Sequence, residues 1–166
     1  MLITSHVLTG AALGAKLPPA PAFLAGFASH LLMDNLPHWG LGPHGDWLLV
    51  ARRDGVVGLV ALGAGAALAP RGRRLSVLAG MTGACLPDTD KIGLHFVGRS
   101  PWPRAFDAFH SWVQREAAHR LPHEIAVAGA LAVVAAALLR APRAGQTCSR
   151  RNAKRRRHPS AASASP

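Results

Sequence analysis

His30 and Asp34 stand four residues apart in an otherwise apolar run, Ser29-His30-Leu31-Leu32-Met33-Asp34, and His38 follows just past Pro37. On a helix, positions i and i+4 share a face, so the imidazole and the carboxylate are aimed at one place, and His38 can fold back toward it from the turn. Groups this polar are costly to bury without a partner. A hydrogen bond between the two supplies one. A divalent cation supplies another, since imidazole and carboxylate ligands suit Zn, Mn or Fe.

The other titratable groups fall mostly at predicted helix ends, where a bundle could gather them into one layer. His6 opens the first helix, Asp88 and Asp90 follow the fourth, His110 and His119 lie on the fifth, and His123 and Glu124 begin the sixth. A cation in such a layer would lower the pKa of bound water and generate a nucleophile at neutral pH. Several of these groups have simpler readings. Asp54 precedes an apolar helix and reads as its N-cap. Asp88-Thr89-Asp90 reads equally as an acidic turn holding Lys91. His110 on an amphipathic helix reads as surface or core. Glu124 suits the positive end of a helix dipole. Pro122 separates His119 from His123, so the i, i+4 argument does not join those two.

Six helical segments must position these groups. They are about Ser5–Lys16, Pro21–Asn35, Asp54–Leu68, Arg73–Leu86, Arg104–His119 and Pro122–Arg140, with a short turn near Trp47–Arg52 and a long irregular connection before Arg104. Pro18-Pro19, Pro37 and Pro87 stop helices, and Pro122 opens one. No segment alternates with period two, so the fold class expected is all-α. Leu24-Ala25-Gly26 precedes Asp34 at the same spacing at which Leu78-Ala79-Gly80 precedes Asp88, an echo at an offset of 54 that suggests a duplicated helix pair or coincidence.

Composition bounds the setting. Of the 166 residues, 49% are hydrophobic and only 16% charged, with mean hydropathy +0.18. That is well under the roughly 25% charge usual for soluble chains, and Ala and Gly fill every apolar segment, as in close helix packing in membranes. Val56–Pro70 and Ile125–Leu139 are free of charge and near the lower length limit for a span of about 20 residues. Trp39, Trp47, Trp102 and Trp112 flank polar loops, as interfacial aromatics do. The expectation is a membrane-embedded bundle of about six short helices over residues 1–140, multi-pass in the inner (cytoplasmic) membrane. The net charge of +11 is concentrated in residues 141–166, a tail holding seven basic residues and no acid. That tail reads as disordered, cytoplasmic, and suited to anionic lipid rather than to specific nucleic acid, because nothing aromatic interleaves its charges. Cys85 and Cys148 give no disulfide framework, and the first residues lack the pattern of a cleavable signal peptide.

His6 with Gly10, Leu86-Pro87-Asp88-Thr89-Asp90, His119-Arg120-Leu121-Pro122-His123, and His30 with Asp34 together resemble the small bacterial membrane-bound metal-dependent hydrolase family, over residues 1 to about 140. The resemblance implies a helical membrane protein with a divalent-metal hydrolase site. It implies His6, His30, Asp34, Asp88 and Asp90 as metal ligands and His119 or His123 as a further ligand or proton shuttle, with His38 behind the ligands. The chain departs from that pattern in placing the His30/Asp34 helix before the Asp88/Asp90 turn and in carrying Lys91 where a histidine would follow the second aspartate. The competing reading is a non-enzymatic membrane scaffold or accessory protein whose His and Asp groups only brace loops.

Overall fold

The computed structural model describes residues 1–41 and 46–141; the basic tail, apart from Ala141, therefore lies outside the described residues. The described chain is all-α, with helices α1 (Ile3–Gly14), α2 (Pro19–Asp34), α3 (Trp47–Leu68), α4 (Arg74–Cys85), α5 (Thr89–Val97), α6 (Arg104–Val113) and α7 (Leu121–Arg140), and 3-10 turns before α4 and α7. The described residues contain no β-strand, only one isolated bridge between His38 and Glu116.

Local chemistry explains where these helices begin and end. Proline occupies the first turn of α2 and of α7, where no intrahelical N–H bond is lost. Asp46 caps α3 by accepting from the Leu49 N–H at 3.0 Å. The turn expected at 47–52 is thus the first part of one 22-residue helix, and Asp54 lies inside that helix instead of capping it. The connection expected to be irregular contains α5, which ends at Gly98 with φ 74°, a left-handed conformation that glycine adopts without steric cost. The helix expected to run to His119 stops at Val113. The chain then extends and ties itself to the end of α2. The Arg115 N–H donates to the Asp34 carbonyl at 3.2 Å, the His38 N–H to the Arg115 carbonyl at 3.1 Å, and the Ala117 N–H to the His38 carbonyl at 2.9 Å.

Helix α1 is the axis of the bundle and packs against α2, α3, α4 and α7. Its Val7 and Ala11 share one core with Val77, Met81 and Leu139. The backbones of α1, α2 and α4 meet at glycines. A Cβ on Gly10 would lie 2.4 Å, and one on Gly26 2.3 Å, from the Gly80 carbonyl oxygen. Only hydrogen fits there, and this close crossing brings the ends of α1, α2 and α4 into one layer. Gly26 and Gly80 are the glycines of the 54-residue echo, so the repeated triplets face each other.

Both ends of α1 are satisfied by charged groups from other helices, which meets the problem of orphan backbone groups at helix termini. At its start, the Asp54 carboxylate accepts from the Ile3 and Thr4 N–H groups and from Thr4 Oγ1, and Glu124 of α7 accepts from the Leu2 N–H at 3.0 Å. At its end, the buried Arg73 guanidinium donates to the Ala15 carbonyl at 3.3 Å, to the Leu138 and Leu139 carbonyls of α7 at 3.1 and 2.8 Å, and to that of Ala141 just past α7 at 2.8 Å. Carboxylates at one end and a guanidinium at the other also complement the helix dipoles.

Candidate metal centre

Asp34, the last residue of α2, is fully buried and is the hub of the polar layer. His6 Nε2 lies 3.2 Å from its Oδ1, while His30 Nε2 and His110 Nε2 lie 3.1 and 3.2 Å from its Oδ2. The Gln114 amide donates to Oδ2 at 2.7 Å, and the Met1 amine lies 2.8 Å from Oδ1. These groups come from α1, α2, α6 and the extended link, all brought together by the glycine crossing and by the tie between residues 34–38 and 115–117.

The far side of each imidazole fixes which nitrogen faces the centre. His30 Nδ1–H donates to the Ala84 carbonyl at 2.6 Å, and His110 Nδ1–H donates to Asp90 Oδ2 at 2.7 Å. Each ring therefore presents Nε2 inward, and the two Nε2 atoms stand 3.2 Å apart. In their neutral forms both would offer lone pairs across that gap, a contact that a positive species between or beside them relieves, as does the Gln114 amide nitrogen 3.2 Å from His110 Nε2. His6 stacks on His30 with ring centroids 3.8 Å apart, and neither of its ring nitrogens makes a hydrogen bond, although it is fully buried. An imidazole with no hydrogen bond in the interior is costly unless something else uses its lone pair.

Two groups of side chains have atoms close enough to hold a metal ion: His6, His30 and Asp34, and His30, Asp88 and His110. His30 has one nitrogen left after its bond to Ala84, so both groups describe a single centre. Donor atoms around a zinc-sized ion at its usual bond lengths lie about 3.0–3.4 Å from one another. The separations of 3.1 and 3.2 Å among Asp34 and the three imidazoles match that spacing. Asp88 Oδ1 stands slightly back, 3.8 Å from His30 Nε2 and 4.0 Å from His110 Nε2, with Lys91 Nζ at 2.8 Å. It accepts no hydrogen bond of normal geometry. The pattern of a histidine held from behind by a carboxylate or a carbonyl is the one that orients imidazoles at metal sites.

The electrostatics follow from these contacts. Burial opposes a charge on His110, but its hydrogen bonds to Asp34 and Asp90 outweigh burial and lift its pKa to about 9. Without a metal, a proton on His110 is therefore a positive species at the centre near neutral pH, beside the Met1 amine on Asp34 Oδ1. Burial also opposes ionisation of Asp88, yet the neighbouring Lys91 and the imidazoles of His30 and His6 hold its carboxyl below the usual range.

Of the residues expected as ligands, His6, His30, Asp34 and Asp88 meet at the centre. Asp90 comes to the same place but serves His110 instead of facing the other donors. His119, in the 3-10 turn before α7, and His123, in the first turn of α7, are exposed and join neither group. His38 stands behind the donors as expected. Its Nδ1 bonds the Leu36 carbonyl at 2.8 Å, and its Nε2 meets Gln114 Oε1 at 3.2 Å. His110 and Gln114 were missed. Both follow Phe106 at four-residue steps on the buried stripe of α6, a signal present in the sequence. Asp54 and Glu124, read as helix-end residues of their own helices, instead hold the start of α1 beside the centre.

A scan of protein-family models, a search of curated proteins and a search of solved structures each found no match.

Proposed function

We propose that the chain binds one divalent metal ion through His6, His30, His110 and Asp34, with Asp88 able to complete the set, and that it is a metal-dependent hydrolase. The observation that carries this reading is the approach of His30 Nε2 and His110 Nε2 to 3.2 Å, each ring locked from behind so that Nε2 faces inward. Three imidazoles and one or two carboxylates favour Zn, Mn or Fe over the harder Mg and Ca. When bound, such an ion supplies electrophilic activation and a nucleophile at neutral pH. The chain's own residues do the rest: Asp90 holds the His110 ring, Gln114 holds Asp34, and His38 holds Gln114.

The setting proposed is a membrane. One helical stretch among the described residues, Ala118–Arg140, is long and apolar enough to cross one. Large apolar side chains also face outward on several helices, among them Leu59 at 70% and Val133 at 70% exposure. The resemblance to the membrane-bound metal-dependent hydrolases supports the same reading, and the basic tail would add contact with anionic lipid.

The test is metal analysis of protein purified without a polyhistidine tag, with Zn, Mn and Fe each supplied during growth. One ion per chain, lost in His30→Ala and in His110→Ala, supports the reading, and hydrolysis is then assayed with the ion that co-purifies. Folded protein carrying no ion above background removes it. The second reading is a membrane accessory protein in which the layer is structural. It is favoured by the hold that Asp34 and Asp90 exert on a proton at His110, because that proton relieves the contact between the His30 and His110 nitrogens without any metal.

A further inference from the structure

The solvent side of the centre is marked by one residue that the metal reading leaves unused. The side chains of His6, His30, Asp34 and His110 are at most 1% exposed. That of Asp88 is 15% exposed, and that of Lys91, three residues on in the first turn of α5, is 47% exposed. Lys91 Nζ reaches Asp88 Oδ1 at 2.8 Å, and the same oxygen is 3.8 Å from His30 Nε2. An ammonium thus stands at the outer edge of the donor set, one ion pair away from it. A cation placed beside a metal ion is electrostatically unfavourable for metal binding, and it becomes favourable when an anion lies between the two. Asp88 fills that role in the described chain.

We propose that Lys91 receives an anionic oxygen of the substrate, and that the substrate is a phosphate ester; this rests on the metal-dependent hydrolase reading. The ammonium is too close to the donor atoms to serve a remote charge on the substrate, so the charge belongs to the reacting group itself. A carboxylic ester is neutral there before attack, whereas a phosphate ester carries its charge from the start. Its several oxygens can bridge the metal and the ammonium at once. In the reaction, water forms a new O–P bond, the ester P–O bond breaks, and the proton from water ends on the departing alkoxide. The products are an alcohol and a phosphate. Ile92 and Phe96, 58% and 71% exposed, give the same helix apolar surface, so the phosphate can come from a lipid headgroup or from a soluble ester.

The experiment titrates inorganic phosphate into zinc-loaded full-length protein by calorimetry, comparing the natural chain with Lys91→Met and Lys91→Arg. Circular dichroism and zinc content serve as controls. Loss of one charge-assisted contact predicts about tenfold weaker phosphate binding in Lys91→Met, and Lys91→Arg retains most of the affinity. Equal affinity in Lys91→Met and the natural chain overturns the proposal. Phosphate release is then measured from phenyl phosphate in detergent and from phosphatidic acid in mixed vesicles. Release from the first assigns the soluble source, and release from the second alone assigns the lipid source. Release from neither, or turnover of phenyl acetate that ignores Lys91→Met, overturns the assignment of substrate class. Protein that takes up no zinc defeats the metal reading separately, and titration of phosphate into that metal-free protein still decides whether Lys91 binds it.

Discussion

Asp90 holds His110 from behind, with Oδ2 2.7 Å from Nδ1, and so decides which nitrogen of that ring faces Asp34. The same relation links His30 to the Ala84 carbonyl at 2.6 Å. One imidazole of the pair is braced by a side chain and the other by backbone, so only the first brace can be removed by substitution.

Asp90→Asn is therefore expected to keep the fold and weaken metal binding by about 10–100-fold, the usual cost of losing such a partner. Competition against a chelator of known affinity measures it. His119→Ala and His123→Ala, which alter exposed residues outside the donor groups, are expected to leave the affinity unchanged.

Stability of the metal-free protein is expected to depend on pH through His110. Its pKa is about 9 in the folded chain against an ordinary value of 6.5. A raised pKa means that the folded state holds the proton more tightly, so this stabilisation is fully present below about pH 6.5 and is lost as pH rises through about 9. Urea midpoints measured from pH 6 to 10 should fall over that window, and His110→Gln should flatten the fall. Metal must displace the same proton, so metal affinity should rise over the same range.

Gly80→Ala is expected to be destabilising by about 1–3 kcal/mol, as overpacked interiors are, although alanine is the better helix former. The added Cβ would sit 2.3 Å from the Gly10 carbonyl oxygen. Gly63→Ala, where a Cβ meets nothing within 4 Å, is the control and should be neutral or slightly stabilising. Thermal denaturation of the two variants reads the difference.

Much of this centre was legible in the chain. The i, i+4 spacing of His30 and Asp34 put both on one face, and the 54-residue echo already related Asp34 to Asp88. The structure adds that His30 bonds Ala84, its own counterpart at that offset. The contribution of α6 was legible only as a stripe. A buried stripe accepts a histidine as a core residue or as a ligand alike, and only the partner helix distinguishes them; here the partner is α2, tied on by a three-bond link that no periodicity announces. Asp54 and Arg73 escaped for the same reason. Each caps a helix remote in sequence, and capping rules read from sequence look only at local neighbours. The α5 helix escaped because its glycines and flanking prolines read as loop, while its apolar residues face outward.

Arg73→Met is expected to be destabilising by about 3 kcal/mol, since it strips a buried charged donor from four carbonyls at the ends of α1 and α7. Arg73→Lys should recover only part of the loss, because one ammonium cannot span the fork. Chemical denaturation measures both.

The inward-facing imidazoles lie far apart along the chain, at residues 6, 30 and 110. During synthesis the ribosome must therefore extend the chain past His110 before the third exists. Until then Asp34 has neither that histidine nor Gln114 to hold it. If this layer holds an ion, loading must come late in the life of a nascent chain, and a truncated product ending before residue 110 is expected not to retain it.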